Sequence, residues 1–468
     1  MISKTRTERR ASLISLPLKV KPWLLVLPSL VLLPIHDAHA NHINATNHWI
    51  KDYLDFGQNK GMFKRGATNL VLIRQDGTEL ALPNVPFPDF SVVTNHGSST
   101  SIGGAYMVTA THNKKYGPWH VTVAHPAFGK TTYQTLDSKD EDHVEAGKDF
   151  SVVRLNKFVV ETTGVRGIDT TLTEKEFIDR YGVDYNGKKQ VVAYRAGSGV
   201  LSVTWRNGRV NYPSISYKPE LLSGSLFTYF RNYKTNLIAF KNLTSFNNEL
   251  SQGDSGSGIL VWDNHNKEWV LAGALNAIVW GSSSGTSFTY GTWDQKAVDT
   301  LKDRFTHKIA LDGGNLTFDG KDKNQYQIGS GAAEKFADRK DLSFTGGGTI
   351  NLGQNLHLGI GGLIFDENKT YTVNGDYTFT DKENNVFKDK YSFKGAGVDI
   401  GKGTTVNWII KGVAGDDLHK IGEGTLDVKV AQGNKLKVGN GTVILRDTKT
   451  FENIYMANGK ATIKARAR

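Results

Sequence analysis

The hexapeptide Gly253-Asp254-Ser255-Gly256-Ser257-Gly258, placed just before the apolar run Ile259–Trp262, has the composition of a nucleophile turn. A serine used as a nucleophile needs its hydroxyl exposed on a tight turn and backbone N–H groups converging where an oxyanion forms. Flanking glycines supply unusual backbone angles and leave room for a substrate carbonyl. The hydroxyl also needs a base. Two upstream histidines end runs of small and β-branched residues: His112 after Tyr106–Thr111, and His125 after Val121–Ala124. Local pattern does not separate them. The third requirement is a carboxylate that orients the imidazole. Asp149 stands where a polar loop enters the apolar run Phe150–Leu155, whereas Asp137, Asp140, Glu141 and Asp142 lie in a charged loop that water can solvate. The order His, Asp, Ser is that of chymotrypsin-like enzymes and differs from the subtilisin and α/β-hydrolase orders.

Such groups must be positioned by strands. Residues 41–308 read as many short β-segments between turn signals, such as Asn69–Arg74 before Gln75-Asp76-Gly77, Gln190–Tyr194, and Ile259–Trp262 before Asp263-Asn264. Helical stretches are expected at Asn47–Phe56 and Asp294–Phe305. This is an all-β pattern of barrel or sandwich type. The separations from His112 to Asp149 and on to Ser255 suit two barrels with the reactive groups between them.

Composition changes after about residue 308. Of 50 glycines, 25 fall in residues 1–310 and 25 in the much shorter remainder; eight of nine tryptophans precede residue 310, and no proline follows Pro219. Gly-led units recur at 346–352 (GGGTINL), 395–400 (GAGVDI), 422–428 (GEGTLDV) and 439–445 (GNGTVIL), with a fainter copy at 457–463. A constant local pattern at variable spacing suits the stacked rungs of a parallel β-helix. The missing prolines agree, because a rung strand is paired on both sides. A β-sandwich with glycine turns is the alternative.

The 468 residues contain no cysteine, which excludes disulfides, thiolate metal sites and a cysteine nucleophile. The formal charge of +11 is largely terminal. Residues 1–40 hold six basic and two acidic residues and residues 460–468 hold four basic ones, so the body between carries 47 basic against 44 acidic residues. No dense basic stripe remains, and no nucleic-acid partner is expected. The basic N-terminal stretch leads into the apolar run Trp23–Ile35 and ends on Ala38-His39-Ala40. That is the layout of a signal peptide cleaved after Ala40, and the run is too short and too proline-interrupted for a stable membrane span. Asp254 is expected to find its cation inside the fold, so that no activating cleavage is needed.

Longer stretches carry a resemblance. DYLDFGQNKG (52–61), PDFS (88–91), SIGGAYMVTATHN (101–113), GKDFSVVRLNK (147–157), RYGVD (180–184), GDSGSG (253–258), FDENKTYTV (365–373) and LHKIGEGTL (418–426) resemble the serine protease autotransporters of enteric bacteria. These are IgA-protease-like enzymes whose family includes the hemoglobin-binding protease. The resemblance implies a chymotrypsin-like double β-barrel (41–308) followed by the start of a right-handed parallel β-helix (309–468). It selects His112 over His125, with Asp149 and Ser255 completing a triad and the N–H groups of Gly253 and Ser255 forming the oxyanion hole. By analogy with trypsin-like enzymes, Glu249 stands at the pocket position six residues before the serine, and Ala272–Ser284, with Ala274 and Trp280, lines one wall.

The implied activity is a secreted or surface serine endopeptidase that reaches its host protein substrates via the periplasm. Mucin, another extracellular glycoprotein and hemoglobin are the substrate classes, and virulence is the setting. No cofactor is implied, no heme-ligand pattern is present, and a monomer is expected. The full-length relatives carry a translocator barrel served by outer-membrane assembly machinery. None is expected to follow here, and the basic ending is expected to mark a truncated β-helix. The alternative class is a non-catalytic adhesin displayed on the β-helix.

Overall fold

The computed structural model describes residues 41–465, apart from 96, 117–119, 126–128, 137–142, 148, 198–200, 206–207, 211–221, 234–236, 251–253, 280–286, 376–377, 381–385, 389, 447–448 and 458–459. The leader with its cleavage site, the charged loop 137–142, Gly253, Trp280 and the last three residues therefore lie outside the described residues.

Alternation in the early strands decides the first layer. The strand Tyr106–Ala110 pairs on one side with Ser99–Ser101 and on the other with Phe150–Arg154, which in turn pairs with His143–Ala146, all antiparallel. Successive side chains of a strand point to opposite faces. Tyr106 and Val108 accordingly enter the large core that runs from Ile43 to Phe305, while Met107 enters a smaller cluster with Val121, Val123, Tyr133 and Val153. Both faces are buried, which explains why these strands read as continuous apolar runs.

The second layer closes on itself. Glu268–Val279, Gly258–Asp263, Lys188–Gly197, Ser223–Tyr233, Leu237–Asn242 and Ser287–Thr292 pair in that order, antiparallel, and the last returns to the first. A closed ring has no exposed edge. The helix Gln295–Phe305, with Asp294 as its N-cap, buries Ala297, Val298, Leu301 and Phe305 and packs beside the strands His143–Ala146 and Phe150–Arg154 of the first layer. A helix also forms at Ile50–Gly57. A third helix, Glu174–Tyr181, is started by a capping box in which Thr173 and Glu176 satisfy each other's backbone N–H groups.

From Thr306 onward most strands stack in parallel; the exceptions among the described residues are Gln325–Ile328 and Ala333–Lys335, which add antiparallel at one edge, and the hairpin Thr378–Thr380 with Val386–Lys388. One sheet has seven strands and another nine, with a short pair, Leu356–His357 and Phe393–Lys394, forming a third parallel edge. Leu316, Ile350, Val373, Trp408 and Val428 lie one above another in register, all buried. A fully buried aliphatic side chain stabilises by about 1.5–3 kcal/mol, so such columns hold the stack. This is a parallel β-helix, as expected.

The Gly-led units do not all mark one face. Strands at 348–352, 425–428, 441–445 and 461–465 belong to the nine-stranded sheet, but Val398–Ile400 belongs to the seven-stranded one. A corner precedes either face, so a glycine corner alone does not say which face follows. At Gly397 the backbone has φ +131°, and an added Cβ would lie 2.3 Å from the His419 carbonyl of the next rung.

The stem is bolted to the barrels. Arg154 and Asp341 form a buried two-pronged pair (2.7 and 2.8 Å), and Arg154 also donates to the Ile360 carbonyl. The Lys157 ammonium donates to the Gly395 and Asp417 carbonyls and to the Asp416 carboxylate. His419 donates from Nδ1 to the Phe158 carbonyl (2.7 Å). Among the described residues no helix is long and apolar enough to cross a membrane.

Candidate active site

Antiparallel pairing places two of the singled-out residues side by side. Ala110 pairs with Phe150, so the chain leaving the strand Tyr106–Ala110 passes the chain entering Phe150–Arg154. His112 sits in the 3-10 turn Thr111–Tyr116, and Asp149 immediately precedes the facing strand. The Thr111 N–H donates to the Asp149 carbonyl (3.1 Å) and the His112 N–H to Asp149 Oδ1 (2.9 Å). The His112 ring donates from Nδ1 to Asp149 Oδ2 (2.6 Å). A carboxylate here can only accept, so Nδ1 carries a proton, and in the neutral ring the lone pair is then on Nε2. Asp149 has φ +65°, a left-handed conformation that aspartate tolerates better than most residues. The His112 side chain is 37% exposed, so a substrate can reach it.

The serine turn is held from both sides. Gly256 N–H donates to the Leu275 carbonyl and Leu275 N–H returns to Ser257 (both 2.9 Å), while Ser257 N–H closes onto the Asp254 carbonyl (3.0 Å). The Asn113 side chain donates to the Ser255 carbonyl at 2.8 Å. The residue that follows His112 thus touches the Ser255 turn, where the two strand systems face each other. Gly256 must be glycine: its φ is +84°, and a Cβ would lie 2.2 Å from the Ser98 carbonyl and 2.5 Å from Thr109 Oγ1.

Asp254 is fully buried and pairs with the equally buried Arg195 of the strand Lys188–Gly197. Arg195 also donates from Nε to Ser257 Oγ (2.8 Å). The cation for Asp254 comes from within the fold, and sequence gave no pointer to which one, since Arg195 reads as an ordinary strand residue.

The remaining candidates among the described residues lie on three other strands. Glu249 lies in the strand Asn248–Leu250, opposite His42 of the N-terminal strand Asn41–Asn44, which pairs in parallel with Leu201–Trp205 on its other side. Ala274 is buried in Glu268–Val279, opposite Gly258 and Gly291. His125 ends the hairpin strand His120–His125, opposite Gly129. Gly253 and Trp280 fall outside the described residues.

The family model described as immunoglobulin A1 protease (peptidase S6) matches residues 41–296, more than half of the chain. The chain belongs to this family. Among curated members, serine protease EspP of Escherichia coli is 44% identical over 447 residues, covering 95% of this chain and 32% of its own length. The serine protease pet autotransporter of E. coli O44:H18 is 42% identical over 444 residues (92% of this chain, 32% of the relative). This chain therefore spans about a third of the peptidase S6 relatives it matches. Among solved structures, the passenger domain of plasmid encoded toxin, an autotransporter enterotoxin of enteroaggregative E. coli, superposes with a TM-score of 0.74 at 40% identity. It covers 90% of this chain and 42% of that one. The Haemophilus influenzae Hap adhesin (TM-score 0.70, 21% identity, 91% of this chain and 49% of that one) shares the fold. The chymotrypsin-like barrels followed by a β-helix are the architecture of this family's passenger domains.

Proposed function

We propose that this chain is a serine endopeptidase module, residues 41–308, mounted on a β-helix stem, residues 309–468. The observation that carries the reading is the doubly hydrogen-bonded His112–Asp149 pair beside the Ser255 turn. His112 Nε2 takes the proton of Ser255 Oγ as the oxygen attacks a peptide carbonyl, and Asp149 holds the imidazolium that forms. The N–H groups of Gly253 and Ser255 receive the oxyanion, a role worth about 10²–10³ in rate for one donor. His112 then protonates the leaving amine, and water hydrolyses the acyl-enzyme by the same route in reverse. Glu249, Ala274 and Trp280 belong to the wall that receives the side chain before the scissile bond.

Family membership and autotransporter relatives support an exported enzyme of the periplasm-to-surface route, its leader removed after Ala40. Its substrates are host proteins: mucin, another extracellular glycoprotein or hemoglobin. In the full-length protein a translocator barrel and outer-membrane assembly machinery are the partners. The test is a peptide library digested by wild type and by Ser255→Ala. Wild type cleaves with a defined preference and Ser255→Ala does not; equal cleavage by both overturns the assignment.

A further inference from the structure

The two sides of the candidate active site belong to different strand systems, and no cysteine exists to tie them together. The His112–Asp149 pair fixes the angle of the imidazole, but both residues stand on the same side, so it does not set the distance to the serine. Asn113 reaches across. Its Nδ2 donates to the Ser255 carbonyl at 2.8 Å and to Thr109 Oγ1 at 3.1 Å. The Thr109 hydroxyl donates to the Ser98 carbonyl at 2.7 Å, which leaves its lone pairs for the amide. A carboxamide nitrogen has two hydrogens, and here both are committed. Gly256 clears the space: a Cβ there would stand 2.7 Å from Asn113 Nδ2.

We infer that Asn113 is the positioning residue that sets the spacing between His112 and Ser255, by holding the serine's own carbonyl from the residue next to the histidine. The inference rests on the proteolytic reading of that triad. Catalytic groups must be held to within about 0.5 Å, and a misplacement of about 1 Å costs about 100-fold in rate. Asn113 itself touches neither substrate nor a transferring proton.

The test follows the time course of fluorophosphonate labelling in the full chain for wild type, Asn113→Ala and the isosteric Asn113→Asp. Steady-state kinetics are measured alongside on a peptide that wild type cleaves. The amplitude of labelling counts correctly folded sites, and the rate constant reports the positioning of a folded one. Both variants are expected to label to full amplitude with a rate constant about 10- to 100-fold lower, with kcat falling in parallel and KM within about twofold. An unchanged rate constant overturns the inference, and so does a loss confined to amplitude, which marks a merely structural asparagine. If Asn113→Ala fails to fold, Asn113→Asp decides, because it keeps the shape and removes the donor. Wild type that folds but never labels refutes the triad itself, a result separate from either variant outcome.

Discussion

Asp149 answers two demands at once. It accepts the backbone N–H and the ring N–H of His112 on its two oxygens, and it does so from a left-handed backbone. Asparagine fits that backbone equally well, but its amide nitrogen cannot accept. Asp149→Asn is therefore expected to fold normally while the imidazole loses the Nδ1–H tautomer, with kcat reduced by about 10⁴. Turnover within tenfold of wild type, measured on the same peptide, would contradict the assigned role. At this scale each member of the proposed triad carries a local mark in the sequence: glycines around Ser255, a strand-end position for His112, a polar-to-apolar junction for Asp149. The choice between His112 and His125 was not legible locally, since it depends on which strand pairs with Phe150–Arg154. Asn113 and Arg195 carry no mark, because their roles arise only when segments 142 and 62 residues apart meet.

Strands and turns place those side chains. The closed ring of strands brings Arg195 under the serine turn, where it joins Asp254 and Ser257 in a buried group. Removing one partner of a buried ion pair leaves a bare charge and costs roughly 3–5 kcal/mol. Arg195→Met should lower stability to denaturant by that amount and abolish labelling of Ser255. Since the cation is intramolecular, the folded chain needs no trimming to become active; a chain that gains activity only when residues after Asn41 are removed would contradict this. The strand Asn41–Asn44 is paired on both sides, so trimming into it removes structure. Of the helices, Glu174–Tyr181 is not legible from periodicity, although Thr173 and Glu176 spell its capping box, because its eight residues sit among polar neighbours. The repeat was legible as a β-helix, but not the face on which each unit falls, since glycine corners serve both.

Across the whole molecule, barrels and stem share buried polar contacts that no periodicity announces: Arg154 and Asp341 are 187 residues apart. One contact sets a pH dependence. Burial, reinforced by the Lys157 and Lys437 charges and only partly opposed by the Phe158 carbonyl and Asp417, holds the His419 imidazole down to about 3. A base whose folded pKa lies below its unfolded value favours folding fully above about pH 6.5. That contribution is lost as pH falls toward 3, because the unfolded chain binds the proton first. His419→Gln should therefore show a shallower loss of stability than wild type between pH 6.5 and 4 in denaturant titrations. Parallel curves would contradict this account of the seam.

A serine nucleophile activated by His112 on this scaffold must react with an active-site-directed electrophile. Folded wild-type protein is treated with a fluorophosphonate and the modified peptide is mapped by mass spectrometry. A single adduct on Ser255 is expected, and His112→Ala should reduce it to background. Folded protein without an adduct, or one formed equally well without His112, would contradict it.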